Sequence, residues 1–367
     1  MISTIAEINI KNLVYNYNSI RRKTKSKVMA VVKADAYGHG MIECVKVLEL
    51  QKNSPEYYGV ALLQEAIELR SSRVTIKPIL CFAPIDFNEF KYYKNIIPTI
   101  TSEDQIEKLL KVKLNFKLKI HININTGMNR LGINFISAIE NIKKLSKIKN
   151  IIIDGIYTHF ATSDEKNKKF AQLQLSRFTK IVEELKNQKI NYGLAHAANS
   201  GAVLDMPNSY FDMVRPGISL YGYYPSLESS ESIKFKPVMS VKSKISHIMK
   251  IEKGETVGYG RLFKANHNTR IGTLPIGYAD GLSRALSTKL RVIIGNSIAK
   301  QLGRISMDRI SIEIPKSTKL HQDVILLGRK GKLEITAWDW SKILNTIPYE
   351  ITCAISKRIS RIYGTKF

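Results

Sequence analysis

Five polar clusters each follow a short run that reads as a strand, and their residue types are those of an active site. Lys33 closes Val28-Met29-Ala30-Val31-Val32, Asn123 follows Lys119-Ile120-His121-Ile122, and His159 follows Ile156-Tyr157-Thr158. Asn199 and Ser200 come after Leu194-Ala195-His196, and Arg215 and Gly217 after Asp212-Met213-Val214. A lysine ending a buried strand is desolvated, which disfavours its charged form and leaves a neutral amine able to add to an aldehyde. A strand that simply reaches the surface carries the same residue. Asn199-Ser200-Gly201 ahead of an apolar run reads as a helix start, where a hydroxyl and N–H groups can hold a phosphate. A plain N-cap uses the same residues.

The elements that must position these clusters have a regular rhythm. Eight apolar runs, at 28–32, 57–61, 78–82, 96–100, 118–122, 151–157, 192–196 and 211–214, alternate with stretches of helical spacing. The clearest helix covers 168–188, where Phe170, Leu173, Phe178, Ile181, Val182 and Leu185 form one stripe. Such alternation predicts an α/β fold, a (β/α)8 TIM-type barrel, whose active site gathers at the C-terminal ends of the strands. After Tyr221 the texture changes. A Ser/Glu-rich connection at 227–232 leads into short strands at 238–251, 270–275, 290–298, 308–313 and 323–327, and only 338–344 reads as helix. The expected domains are a barrel at 1–233 and a mostly-β domain at 234–367, with the first few residues able to pair with the second.

Composition narrows the function classes. Hydrophobic residues make up 44% and charged residues 24% of 367, as in an ordinary globular protein. No apolar run is long enough for a membrane span, and the N-terminus lacks the plan of a secretory signal. Cys44, Cys81 and Cys353 fit neither a disulfide framework nor a zinc ligand set, so a reducing cytoplasmic setting is expected. The net charge of +26 is dispersed along the chain without a basic arm or interleaved aromatics, which argues against a nucleic-acid partner.

The motifs together resemble the alanine racemase family, fold-type III pyridoxal-phosphate enzymes. VVKADAYGHG (31–40) looks like its cofactor-attachment motif, followed in the family's order by NTGMNRLG (125–132), THFATSD (158–164) and AANSGA (197–202). MVRPGISLYG (213–222), VGYGRLF (257–263), LPIGYADG (274–281), GRISMD (303–308) and YEITCAISKR (349–358) complete the set. The resemblance spans essentially the whole chain.

It implies roles for particular residues. Lys33 would carry pyridoxal phosphate and act as one base, with Tyr259 of a partner subunit as the other, in a homodimer with shared active sites. Inversion needs one group to remove the α-proton and another to deliver it from the opposite face. Tyr37, Ser200, Gly217, Ile218 and Tyr349 are implied as phosphate contacts, Gly217 and Ile218 through their amides, with Asn199 beside them. Arg215 would face the pyridine nitrogen, where a guanidinium that does not readily give up its proton leaves that nitrogen neutral. His159 would lie against the ring. Arg130, Tyr278, Met307 and Asp308 are implied on the substrate side. From the residues alone, His159 also reads as a core histidine, Tyr259 as a packed aromatic, and Tyr278 and Asp308 as structural hydrogen-bonders.

One departure stands out. Where the family often has a carbamylated lysine orienting the arginine matched to Arg130, this chain has Asn123. A bound anion such as chloride is the expected replacement. The implied activity is interconversion of L- and D-alanine, feeding peptidoglycan. A racemase of serine or of a broader range of amino acids remains open, because pocket volume is not legible in a sequence.

Overall fold

The computed structural model describes residues 4–84, 86, 89 and 95–364. The chain divides into two compact units: one holds Val14–Ala36 and Met41–Phe235, the other the chain up to Leu13, Tyr37–Gly40 and Lys236 onward.

The first unit contains all eight expected strands, every pair parallel. Lys27–Val31 pairs with Tyr57–Val60, which pairs with Ile79–Cys81 and then Ile96–Ile97. Thr99–Ile100 pairs with Leu118–Asn125, followed by Ile151–Tyr157, Leu194–His196, Met213–Val214 and again Lys27–Val31. The fourth strand is split at Pro98, which has no N–H to give the ladder. Its two halves bond opposite neighbours, and the Pro98 carbonyl accepts from the His121 N–H at 3.0 Å. The ring of strands therefore closes through the proline. Inside it pack Met29, Tyr57, Leu80, Ile97, Tyr157 and Met213, one from each of six strands. Burying a side chain of this size contributes roughly 1.5–3 kcal/mol.

Helix Lys169–Asn187 forms within a residue of the expected bounds and buries four of the six expected stripe residues, but at its N-terminal end the buried face is shifted from the expected one. Ala171, Gln174, Leu175, Phe178, Ile181, Val182 and Leu185 are buried, while Phe170 and Leu173 are exposed. The reason is Gln174. Its amide accepts from the Ala161 N–H at 2.9 Å and donates to the His159 carbonyl at 3.0 Å, so a polar residue occupies the centre of the buried stripe.

Directly after Lys33 the backbone turns left-handed. Ala34, Asp35, Ala36 and Tyr37 have φ between 52° and 56°. For non-glycine residues this costs about 1–2 kcal/mol each, so the turn must be held by its surroundings.

The second unit is mostly β. Its main sheet runs His247–Ile251, Thr269–Leu274, Ile310–Glu313, Ser297–Leu302, Arg291–Ile294, Asp323–Lys330, Met239–Lys244, Ile5–Asn9 and Ser360–Gly364. The N-terminal strand Ile5–Asn9 lies antiparallel to Met239–Lys244 and parallel to Ser360–Gly364. Helix Ala337–Leu344 matches expectation, but a second helix, Pro348–Ala354, follows it and was not expected. Seven residues are too few to show a helical period, and Pro348 at its first position was the one available signal. Among the described residues no helix is long and apolar enough to cross a membrane.

Candidate active site

Four of the five clusters named first sit just beyond a barrel strand. Lys33 follows Lys27–Val31, His159 follows Ile151–Tyr157, Ser200 follows Leu194–His196, and Arg215 follows Met213–Val214. Asn123 lies instead inside its strand, Leu118–Asn125, which runs three residues past the expected end.

Asn199 builds the place where Ser200 stands. Its carboxamide oxygen accepts from the Ala202 N–H at 3.1 Å and the Ser163 hydroxyl at 2.7 Å, capping helix Ser200–Asp205. The buried Ser200 Oγ accepts from the Gly217 N–H at 2.9 Å, the Ser219 N–H at 3.4 Å and the Ser219 hydroxyl at 3.0 Å. Ile218 opens the short 3-10 turn behind Gly217. Several donors thus converge on one buried point, which suits a phosphate dianion.

Arg215 is 3% exposed, and every partner is placed. Nη1 meets His196 Nδ1 at 2.8 Å; Nη2 donates to the Thr158 carbonyl at 2.7 Å and the Ala197 carbonyl at 3.1 Å and faces His159 Nδ1 at 3.4 Å. Its guanidinium carbon lies 5.0 Å from the centre of the Tyr157 ring. Burial pulls its pKa down to about 10, which still leaves it charged at neutral pH. Among the described residues none of these partners is a carboxylate. Arginine only donates, so Nδ1 of His196 accepts and its Nε2 carries the proton. That Nε2 faces His121 Nδ1 at 2.9 Å, which leaves the His121 proton on Nε2, 3.5 Å from Asp154 Oδ2. Asp154 also accepts from the Tyr57 hydroxyl at 2.7 Å and pairs with Lys119 at 3.0 Å. Burial raises the Asp154 carboxyl, but the bonds from His121, Tyr57 and Lys119 outweigh it and hold it below the usual range.

The three imidazoles are kept neutral. Burial, then the Arg215 charge, holds His196 well below its ordinary value, and burial lowers His121 against the pull of Asp154. His159, partly exposed, is lowered to about 3 by burial and the charges of Arg215, Arg130 and Lys33. A neutral imidazole with its Nδ1 turned to Arg215 can lie against an aromatic ring.

Asn123 is buried, whereas Arg130 is exposed on the loop beyond the strand. That loop is shaped by Asn125, whose Oδ1 accepts from the N–H groups of Gly127 at 3.1 Å and Asn129 at 3.0 Å. It closes at Gly132, whose φ is 117° and where a Cβ would stand 2.9 Å from the Asn123 carbonyl oxygen.

The remaining candidates belong to the second unit. Tyr37 and Tyr349 bring their rings to 5.9 Å, Tyr349 from the unexpected helix Pro348–Ala354. Tyr259, Tyr278, Met307 and Asp308 line one cleft of about 720 Å³. Tyr259 is 73% exposed on a 3-10 turn entered through Gly258, whose φ is 71°. Asp308 is already paired, accepting from Arg358 at 2.8 Å. Sequence reasoning missed Arg284 and Arg309, which line the same cleft and suit a carboxylate. Arg309 directly follows the GRISMD motif, a signal that was present. It also passed over His121, Asp154 and Tyr57, whose meeting depends on strand register.

Residues 8–225 match the family of the alanine racemase N-terminal domain and residues 238–363 that of the alanine racemase C-terminal domain. The chain is 41% identical to alanine racemase 1 of Clostridium acetobutylicum, over 98% of this chain and 94% of that protein. It is 41% identical to alanine racemase of Treponema denticola, over 99% and 98%. Among solved structures it superposes on alanine racemase of Clostridium difficile 630 with a TM-score of 0.91 at 36% identity, covering 99% and 96% of the two chains. The Bacillus anthracis alanine racemase with bound L-Ala-P gives 0.89 at 30% identity, covering 100% and 96%.

Proposed function

The chain belongs to the alanine racemase family of pyridoxal-phosphate enzymes and interconverts L- and D-alanine, and from that premise we propose how its own residues divide the work. Lys33 attaches the cofactor and serves as base on the D face of the α-carbon. Tyr259 of a second copy of the chain serves the L face, so that the working form is a homodimer with shared sites. The D-alanine made feeds peptidoglycan. A cytoplasmic setting suits three cysteines of which none is in a disulfide.

Ser200, with the amides of Gly217 and Ile218, would hold the phosphate, helped by Tyr37 and Tyr349. What the cofactor supplies when bound is an electron-withdrawing ring that acidifies the substrate's α-C–H. Arg215 would donate toward its ring nitrogen and keep it unprotonated, and His159 would lie against the ring. Arg130 would hold the substrate carboxylate on the barrel side, and Tyr278, Met307 and Asp308 would border the substrate from the second copy. A halide between Asn123 and Arg130 would supply the negative charge that Asn123 lacks. Anomalous scattering after a bromide soak tests this, and a clean map at that place counts against it.

The observation that carries the reading is Arg215, buried beside His159 and His196 with only neutral partners around it. The experiment is incubation with pyridoxal phosphate and L-alanine, or separately L-serine, with chiral chromatography of the products. Approach to a one-to-one mixture of alanine enantiomers, lost in Lys33→Ala, supports the assignment. Turnover surviving in Lys33→Ala overturns it.

A further inference from the structure

Glu65 has no part in the chemistry just assigned, yet it holds the backbone beside Lys33. Its Oε1 accepts from the Ala34 N–H at 2.5 Å. Its Oε2 accepts from the N–H groups of Ala61 at 2.8 Å and Leu62 at 3.1 Å. Glu65 is the third residue of helix Leu63–Ser71, whose N-cap, Leu62, has no side-chain acceptor. One carboxylate therefore serves two loops, closing the start of that helix and gripping the first residue after Lys33.

The grip falls where the backbone is least able to hold itself. Ala34, Asp35 and Ala36 lie at φ 52–55° and ψ 48–50°, a left-handed turn in which both alanines occupy a region they avoid. Within the turn the Ala36 N–H reaches the Val32 carbonyl at 2.8 Å. At its exit Asp35 Oδ1 accepts from the Met41 N–H at 2.7 Å. At its entrance stands Glu65. Without that bond the 33–34 peptide is released toward the ordinary right-handed or extended basins, and the direction in which the Lys33 side chain leaves the strand changes with it.

We infer that Glu65 is a positioning residue for Lys33, holding through the Ala34 N–H the left-handed turn that aims the lysine. This rests on Lys33 being the cofactor lysine. A glycine at position 34 adopts the left-handed region without penalty and so needs no grip. That separates the turn from the helix cap: Ala34→Gly relieves the first and leaves the second broken.

The test uses the full-length protein as wild type, Glu65→Ala, Glu65→Gln and Ala34→Gly/Glu65→Ala. Pyridoxal phosphate at limiting concentration is trapped on Lys33 with cyanoborohydride and quantified by mass spectrometry, and hydrogen exchange of amides 34–41 is followed in parallel. Glu65→Ala is expected to lower trapping and speed exchange by about tenfold or more, the effect of losing a charge-assisted bond. Glu65→Gln is expected between the two, since a single carbonyl oxygen cannot serve all three donors. In the loaded enzyme kcat falls more than KM for alanine changes. The double variant is expected to recover trapping to within about threefold of wild type, because glycine removes the strain. Wild-type trapping in Glu65→Ala and Glu65→Gln, or a double variant no better than Glu65→Ala, overturns the inference. A wild-type protein labelled elsewhere than Lys33 overturns the lysine assignment itself, a distinct result.

Discussion

Nη1 of Arg215 stands 2.8 Å from Nδ1 of His196, and because arginine cannot accept, that contact fixes the proton on every imidazole behind it. His196 passes its proton toward His121, and His121 toward Asp154, in one direction only. The guanidinium is thus balanced by a carboxylate two rings away, while its immediate neighbours stay neutral. In the proposed role, a cation so held would donate to the cofactor's ring nitrogen without protonating it, which would limit how far charge spreads into the ring and disfavour transamination.

The first prediction follows from this arrangement. Arg215→Glu places an acceptor where a donor stood and should divert turnover toward pyruvate. Pyruvate release coupled to lactate dehydrogenase, measured beside racemisation, should give a ratio raised about tenfold or more over wild type. An unchanged ratio would mean that Arg215 does not govern the fate of the substrate.

The buried histidines make stability depend on pH. His121, His196 and His159 all have folded pKa values below that of the unfolded chain, near 6.5, and His159 is lowered to about 3. Between those limits the unfolded chain binds protons that the fold refuses, so stability is full above about pH 6.5 and is lost as pH falls, by up to about 1.4 kcal/mol per pH unit for each histidine. Denaturant midpoints at pH 7, 6 and 5 should drop in step. Replacing His159 by Gln should reduce the slope by one proton's worth, and an identical slope would show that His159 titrates freely.

Gln174 tests how the loop bearing His159 is held. Gln174→Leu keeps the volume but leaves the Ala161 N–H and the His159 carbonyl unserved, at a cost of about 1–3 kcal/mol. Urea unfolding should show the loss. A variant as stable as wild type would mean that water replaces both bonds.

Tyr259 is exposed, so Tyr259→Phe should alter stability by no more than about 0.5 kcal/mol. L-to-D conversion should nevertheless fall by about 10²-fold or more. Lys33 remains, so D-alanine in deuterium oxide should still exchange its α-proton without inversion, readable by proton NMR. Equal loss of exchange and conversion would argue against two separate bases.

Much of this was legible in the sequence, for stated reasons. Buried parallel strands are continuous apolar runs, so the eight barrel strands announced themselves, and so did the polar residues beyond most of them. The grouping of Tyr259, Tyr278, Met307 and Asp308 came from motif resemblance, and the four residues line one cleft. What escaped was set by three-dimensional partners. The turn of helix Lys169–Asn187 depends on Gln174 finding three polar neighbours, and the His196–His121–Asp154 chain depends on the register of three strands. The left-handed turn at Ala34 could not be read either, because Ala-Asp-Ala-Tyr has no glycine and only Asp35 tolerates that region.

The most direct test of the two-base, shared-site account combines two dead variants. Lys33→Ala and Tyr259→Ala subunits, carrying different tags, are co-expressed, and the mixed dimers are isolated by both tags. If Lys33 of one copy works with Tyr259 of the other, each mixed dimer holds one intact site and should show about half the wild-type alanine racemisation, although both parents are inactive. Mixed dimers as inactive as their parents would contradict the account and put both bases within a single chain.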